Sequence, residues 1–311
     1  MLSFLIQPRY PKAAIGIEKN SLSALALERR GRSQFGLQRA ATIEMPPNLI
    51  TPGFLEKNIS SQQEFSVLLQ ETVASAGLLN QKRWSVSLPS ASARTAIITL
   101  ESEPASRQEA EEILEWKSEQ SFGAPAGELR ISRQKISPDA QGRSRYFATA
   151  VRLAVIDEFE TVFESLGWKA GLILPRAVSE ANWLADRNST ADTLLISSQS
   201  DGFTALLFRG DEPAVIRTVT CGENERDDEI FRLLMFYNDR LAERANGSVL
   251  ERLLVIGRDV NPARVAQIAM EALGRALSVL RPEDVGLDLT GSSIRFDEIA
   301  APAGLAALGC Q

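Results

Sequence analysis

The sequence predicts an α/β (α+β) fold in two related halves, and three observations carry that reading. Strand-like and helix-like segments alternate along the chain. An apolar strand, a polar turn and a second apolar strand occur twice, as AIGIEKNSLSALAL at 14–27 and LLISSQSDGFTALLF at 194–208. At 311 residues the chain has room for two domains or one large two-lobed unit.

The first half opens on a hairpin over Lys12 to Leu27, which Phe35 to Ile43 extends into a meander. In EMPPNLITPG the prolines and glycine break regular structure. Ser61 to Glu64 is a capping box opening a helix with Phe65, Leu68, Leu69, Thr72, Val73 and Ala76 on one face and Gly77 past its end. Trp84 to Leu88 and Ala93 to Leu100 are strands. Ser106 to Glu109 repeats the capping box and starts a charged helix through Gln120, with Ala110, Ile113 and Leu114 inward. Trp116 on that helix reads equally as core or as a contact residue. Leu129 to Ile136 and Arg145 to Leu153 pair around SPDAQG. Asp157 to Leu166 is a helix closed by Gly167.

The second half follows a polar link, ADRNSTAD, at 185–192. Thr193 to Ile196 and Phe203 to Phe208 make the second hairpin, and Ile216 to Val219 is a strand. A helix runs from about Glu225 to Arg244, and Leu253 to Ile256 is a buried strand ending at Gly257. Asn261-Pro262 caps a helix with Val265, Ile268, Ala269 and Leu273 inward. Ile299 to Leu308 closes the chain as a small apolar helix.

Composition excludes much chemistry. Hydrophobic residues at 44% and charged residues at 24% are the ordinary balance of a soluble globular protein. No apolar run approaches the roughly 18 to 20 residues that span a bilayer. The apolar patch in MLSFLIQPRYPK has no cationic region before it, which predicts no signal peptide and a cytoplasmic location. A net charge of −6 argues against nucleic-acid binding, and the pairs Arg29-Arg30 and Lys82-Arg83 read as solvated loop charges. Histidine is absent, which removes the commonest metal ligand and general base. Cys221 and Cys310 stand too far apart in sequence for a zinc cluster or a disulfide framework, so no metal site is expected.

Four stretches carry a family resemblance: GIEKNSLSALAL, EAEEILEWKSEQSFGAP, RLAVIDEFETVFESLGWKAGLILPRAVSEANWL and RLLVIGRDVNPARVAQIAMEALG. In their order and spacing the chain resembles the type IV pilus assembly protein PilM family, whose actin-like (RNase H-like) fold is shared with the division protein FtsA. The resemblance implies two lobes facing across a cleft, 1–187 and 188–311. It also implies a small α+β subdomain inserted in the first lobe at about 89–146. In relatives the lobes clamp ATP. PilM itself captures the N-terminal tail of the inner-membrane protein PilN on the cytoplasmic side, coupling the pilus motor to the periplasmic complex.

Set against the family's phosphate loops, the nucleotide site reads as vestigial. The first loop resembles G-I-D-I-G-S, and here Gly16, Glu18 and Ser21 are kept while Asn20 replaces the second glycine. Asparagine tolerates positive φ, so the turn survives while its side chain takes phosphate space. The second loop, D-I-G followed by threonine, corresponds to Ser197, Ser198 and Gln199 with Thr204. The paired glycines on the adenosine side have become Gly257 and Arg258. Between Gly222 and Gly257 the helix ERDDEIFRLLMFYNDRL nearly fills the interval where relatives carry a cleft-wall subdomain, so that wall is expected to be reduced or missing.

These readings predict a non-enzymatic docking scaffold in a type IV pilus or type II secretion-like assembly, without cofactor. Its partner would be the tail of a PilN-like single-pass membrane protein, with the pilus motor complex beyond it, and the scaffold would sit peripherally at the inner membrane. Candidate contact residues at the junction of lobe and insert are Leu88, Pro89, Trp116, Gln120, Phe122 and Pro125. The alternative is an actin-like ATP-binding protein or weak ATPase, in which Glu18 orients Mg and Asn20 to Ser21 hold phosphate. A structural scaffold held in a ring, using the acidic run Glu109, Glu111, Glu112, Glu115 and Glu119, is a third reading; a solvated helix face accounts for that run more simply.

Overall fold

The computed structural model describes residues 10–184, 191–241 and 249–310, and within them one strand plan is used twice. Strands β1 (Ala13–Ile17), β2 (Ser21–Arg29) and β3 (Phe35–Glu44) form an antiparallel meander. Strands β4 (Arg83–Leu88) and β8 (Lys169–Pro175) add in parallel beyond β1. In the second sheet β9 (Asp192–Gln199), β10 (Gly202–Arg209) and β11 (Glu212–Thr220) repeat the meander. There β12 (Leu250–Ile256) and β13 (Ser278–Val279) add in parallel beyond β9. The orders β3-β2-β1-β4-β8 and β11-β10-β9-β12-β13 are therefore equivalent. The two-residue strand β14 (Leu287–Asp288) extends the first sheet at β3.

The central strands are apolar on both faces because helices cover both. Ala13, Ile15 and Ile17 of β1 meet α1 (Gln62–Ser75) and α3 (Leu153–Ser165) in one core. Leu194 and Ile196 of β9 meet α5 (Arg226–Phe236) and α6 (Pro262–Leu273) in another. Between the two sheets lie α4 (Arg176–Ala181) and α7 (Phe296–Cys310), in a core that takes Ala14 and Leu25 from one sheet and Leu195, Leu206 and Leu254 from the other. Alanine dominates α7, and a Cβ on its Gly304 would come within 2.2 Å of the Ser179 carbonyl oxygen. Close approach of α7 to α4 thus joins the two lobes.

An insert separates β4 from α3. Strands β5 (Arg94–Thr99), β6 (Leu129–Ile136) and β7 (Arg145–Arg152) form a sheet in the order β5-β7-β6, backed by α2 (Arg107–Phe122). Between β11 and β12 the described residues supply only a short turn, α5 and a π-helical turn, Tyr237–Leu241. No sheet occupies that interval among the described residues.

Several elements differ from their sequence-based bounds. Helix α3 starts at Leu153, directly after β7, and Arg83 and Arg29 belong to β4 and β2 rather than to loops. Helix α5 gives way to the π turn after Phe236, and 242–244 lie outside the described residues. So do the boundary at 187/188, most of the link 185–192 and the start of the chain. Among the described residues no helix is long and apolar enough to cross a membrane.

Candidate functional site

The two hairpin turns, β1–β2 and β9–β10, stand at equivalent places in the two sheets, and α4 packs between the sheets where the resemblance places the cleft. The β1–β2 turn closes with Glu18 N–H donating to Ser21 O at 2.9 Å. Asn20 is not in the positive-φ region, contrary to expectation; among the described residues Asn48 is the non-glycine residue that is. The reason is local: the Asn20 carbonyl accepts Met45 N–H at 2.8 Å, which extends the β2–β3 ladder and holds Asn20 in it. Gly16 sits inside β1, where a Cβ would strike Ser23 Oγ and the Pro302 ring of α7, so this glycine serves sheet-to-helix packing.

Glu18 is committed to the protein itself. Its Oε2 accepts from Arg176 Nη1 at 3.0 Å, and Arg176 Nε donates to Glu180 Oε1 at 2.7 Å. Arg176 and Glu180 are buried on α4, Glu180 completely, while a quarter of the Glu18 side chain is exposed. Burial opposes the charge on Arg176, but the two carboxylates more than offset it and raise the guanidinium above its ordinary range. For Glu180 the balance runs the other way: burial pushes its carboxyl up despite the neighbouring arginine.

The second turn is equally occupied. β9 and β10 close around Ser200-Asp201, with Gln199 opposite Gly202. Gly202 has φ +143, and a Cβ there would lie 1.9 Å from Val219 O. The Asp201-Gly202 pair is thus a hairpin turn shaped by its neighbour β11. Ser197 and Ser198 are buried, as is Thr204, whose Oγ1 lies 3.3 Å from that of Thr218. Gln199 offers its carbonyl to Arg226 Nη2 at 3.0 Å, and Nη1 of the same buried guanidinium donates to Asp259 O at 3.0 Å. Arg226 therefore ties the second loop to the segment after Gly257. Gly257, at φ +144, would place a Cβ 2.6 Å from Ser198 Cβ, and Arg258 pairs with Glu298 of α7 at 3.1 Å.

Every residue assigned from sequence to the nucleotide site falls on these two turns, their strands or the β12–α6 loop. The buried charged residues beside these turns, Arg176, Glu180 and Arg226, were missed. A signal existed: RAVSE sets arginine and glutamate four apart in an otherwise apolar helix, the spacing of a pair on one face. Among the described residues no group of three Cys, Asp or Glu side chains could hold a metal ion.

At the junction of lobe and insert, the segment 45–60 acts as a strap. Met45, Leu49 and Ile50 enter the first-lobe core, while Phe54 enters the insert core with Arg94 stacked 4.4 Å over its ring. Asn58 binds Gly53 and Glu56 carbonyls through Nδ2, and its own N–H and that of Ile59 reach the buried Glu158 carboxylate. The six candidate contact residues separate here. Leu88 and Pro89 are buried at the end of β4, and Phe122 is wholly buried in the insert core. Leu88 and Phe122 fill cores, so those two cannot meet a partner without repacking, and Pro89 is buried beside Leu88. Trp116, Gln120 and Pro125 are exposed. Trp116 is 57% exposed, on the side of α2 opposite Leu114 and Ser118, so it is surface and not core. Trp168 and Trp183 are buried.

The duplicated sheets, the inserted subdomain and the paired helices between lobes define a two-lobed actin-like fold. The chain is similar to the PilM–PilN type IV pilus biogenesis complex, with a TM-score of 0.74 over 97% of this chain and 98% of that one, at 17% identity. It is also similar to an ethanolamine utilization protein EutJ from Carboxydothermus hydrogenoformans (TM-score 0.51, 9% identity, 97% and 92% covered). A Bacteroides thetaiotaomicron protein with an actin-like ATPase fold and unknown function aligns over 100% of both chains (TM-score 0.50, 11% identity). No protein-family model and no curated protein sequence matches the chain.

Proposed function

We propose that this protein is a non-enzymatic docking scaffold of a type IV pilus or type II secretion-like inner-membrane assembly, holding the cytoplasmic tail of a PilN-like single-pass protein. The observation that carries the reading is the occupied cleft. Glu18, the acid a metal would need, is bound by Arg176, and Arg226 holds the carbonyls of Gln199 and Asp259 together. Arg258 adds a side chain where the fold's nucleotide-binding members keep a glycine. These residues do not fit ATP and magnesium, so the lobes serve as a rigid frame rather than a clamp.

Likeness to the PilM–PilN complex supports a tail-binding role for the junction of lobe and insert, where Trp116, Gln120 and Pro125 remain exposed. Such a tail would bind as an extended peptide and keep the protein at the inner membrane without inserting it. The test has two arms. A fluorescent peptide copying the N-terminal tail of a PilN-like protein from the same genome should bind saturably. ATP with magnesium at millimolar concentration should leave the melting temperature unchanged, because a ligand that prefers the native state must raise it. A rise of several degrees would overturn the reading of the cleft, and a folded protein that ignores the tail peptide would overturn the partner.

A further inference from the structure

We infer that the outer edge of β3 is a second docking site, built to accept an extended peptide that carries an acidic side chain. β3 is ten residues long, yet β14 covers only Phe35 and Gly36 on its outer side. The remaining edge, Leu37 to Glu44, faces no strand among the described residues. Ladder geometry shows which groups point outward. Met45 N–H goes inward to Asn20 O, and the register Ile43↔Leu22, Ala41↔Ala24 continues that alternation. The backbone groups of Ala40, Thr42 and Glu44 therefore point away from β2.

A groove lies along the line that β14 leaves. After Asp288 the chain turns aside, with Asp288 Oδ1 accepting Thr290 N–H at 2.8 Å and Gly291 at φ +81. This loop and the Leu37–Ala40 end of the β3 edge flank a half-open groove of about 320 Å³, with Arg39, Ala40, Thr290, Gly291, Ser292 and Ile294 on the walls. The volume is on the order of ten waters, the size of a short run of extended chain.

Charge selects the occupant further. Arg30 is balanced by Glu28 and Asp288. Arg39 gives one N–H to Gly77 O and has no carboxylate partner among the described residues. A strand added in line with β14 would pair its backbone with Ala40, Thr42 and Glu44 and place an acidic side chain beside Arg39. Open edges of this kind are ordinarily blunted by proline, lysine or a covering element. β3 has neither residue type, and one bulge beside Gln38.

The probe is an acetylated, amidated nonapeptide, TVTVDVTVT, with a lysine-centred analogue as control. In the free protein the amides of Ala40, Thr42 and Glu44 should exchange with solvent much faster than those of Ala41 and Ile43. The peptide should protect them, and the lysine analogue should bind several-fold more weakly. Thr42→Pro removes an outward N–H while leaving the inner ladder intact, and should cut affinity at least tenfold; Ala40→Pro is the substitute if Thr42→Pro does not fold. Outward amides already protected in the free protein, no binding, or binding untouched by either proline would overturn the inference. So would a dimer in light scattering that Thr42→Pro abolishes, since a second copy would then own the edge. None of these readouts involves the junction of lobe and insert, so this site and the tail site stand or fall separately.

Discussion

Replacing Arg176 with methionine tests whether the cleft is held by its own ion pairs. The substitution keeps the buried volume roughly constant and removes one charge between two carboxylates, 3.0 Å from Glu18 and 2.7 Å from Glu180. Glu18 can turn to solvent, but Glu180 is fully buried and cannot. Breaking a buried pair by removing one partner costs about 3–5 kcal/mol, because the other charge remains without compensation. The double variant Arg176→Met/Glu180→Leu should recover most of that loss, since apolar replacement of a whole buried pair is often neutral. The pH dependence carries the sign. The Glu180 carboxyl already titrates above its ordinary range through burial, and losing Arg176 pushes it further up. A group whose folded pKa is raised contributes stability below its unfolded pKa and loses it as pH rises through the folded value. The single variant should therefore be closest to wild type near pH 5 and fall furthest behind near pH 8, in urea titrations read by tryptophan fluorescence. A loss under about 1 kcal/mol, or one independent of pH, would refute the reasoning.

Other substitutions probe the same frame. Arg226→Met removes two charged hydrogen bonds to carbonyls and should cost about 2–4 kcal/mol in urea unfolding, without creating an ATP-dependent thermal shift. Gly304→Ala should destabilise, although alanine favours a helix by up to about 1 kcal/mol, because its Cβ meets backbone on α4. Glu158→Gln keeps one acceptor for the Asn58 and Ile59 amides and loses the other, which should cost about 1–3 kcal/mol and loosen the strap, visible as faster exchange over 51–59. Trp116→Ala should change stability by less than about 0.5 kcal/mol, while Trp84→Ala, fully buried against Trp168, should cost about 3–5 kcal/mol.

What could be read in the sequence followed from periodicity and caps. Ser61 and Ser106 each accept the N–H of the glutamate three residues on, as the capping boxes predict, and both hairpins pair as the repeated pattern requires. The short strands β13 and β14 escaped because two residues have no period. Trp116 was ambiguous because apolar character alone does not say which face of α2 meets the insert; the stripe Leu114, Ser118, Phe122 settles it through a serine. Leu88 and Phe122 lie near the lobe–insert junction in sequence but fill cores, a distinction only packing supplies.

The two hairpin turns show how this fold is held by its own contacts. The β1–β2 turn is fixed by Asn20 joining the β3 ladder, and the β9–β10 turn by Gly202 lying against Val219. Neither depends on a bound phosphate. Arg176 and Arg226 place buried positive charge at the two turns, where Glu18, Glu180 and the carbonyls of Gln199 and Asp259 take it up. A frame held this way presents its outer surfaces at fixed positions, which suits the proposed docking role. The bonds of Arg176 and Arg226 thus tie α4 and the β12–α6 loop to the two turns and make this region the beam between two lobes.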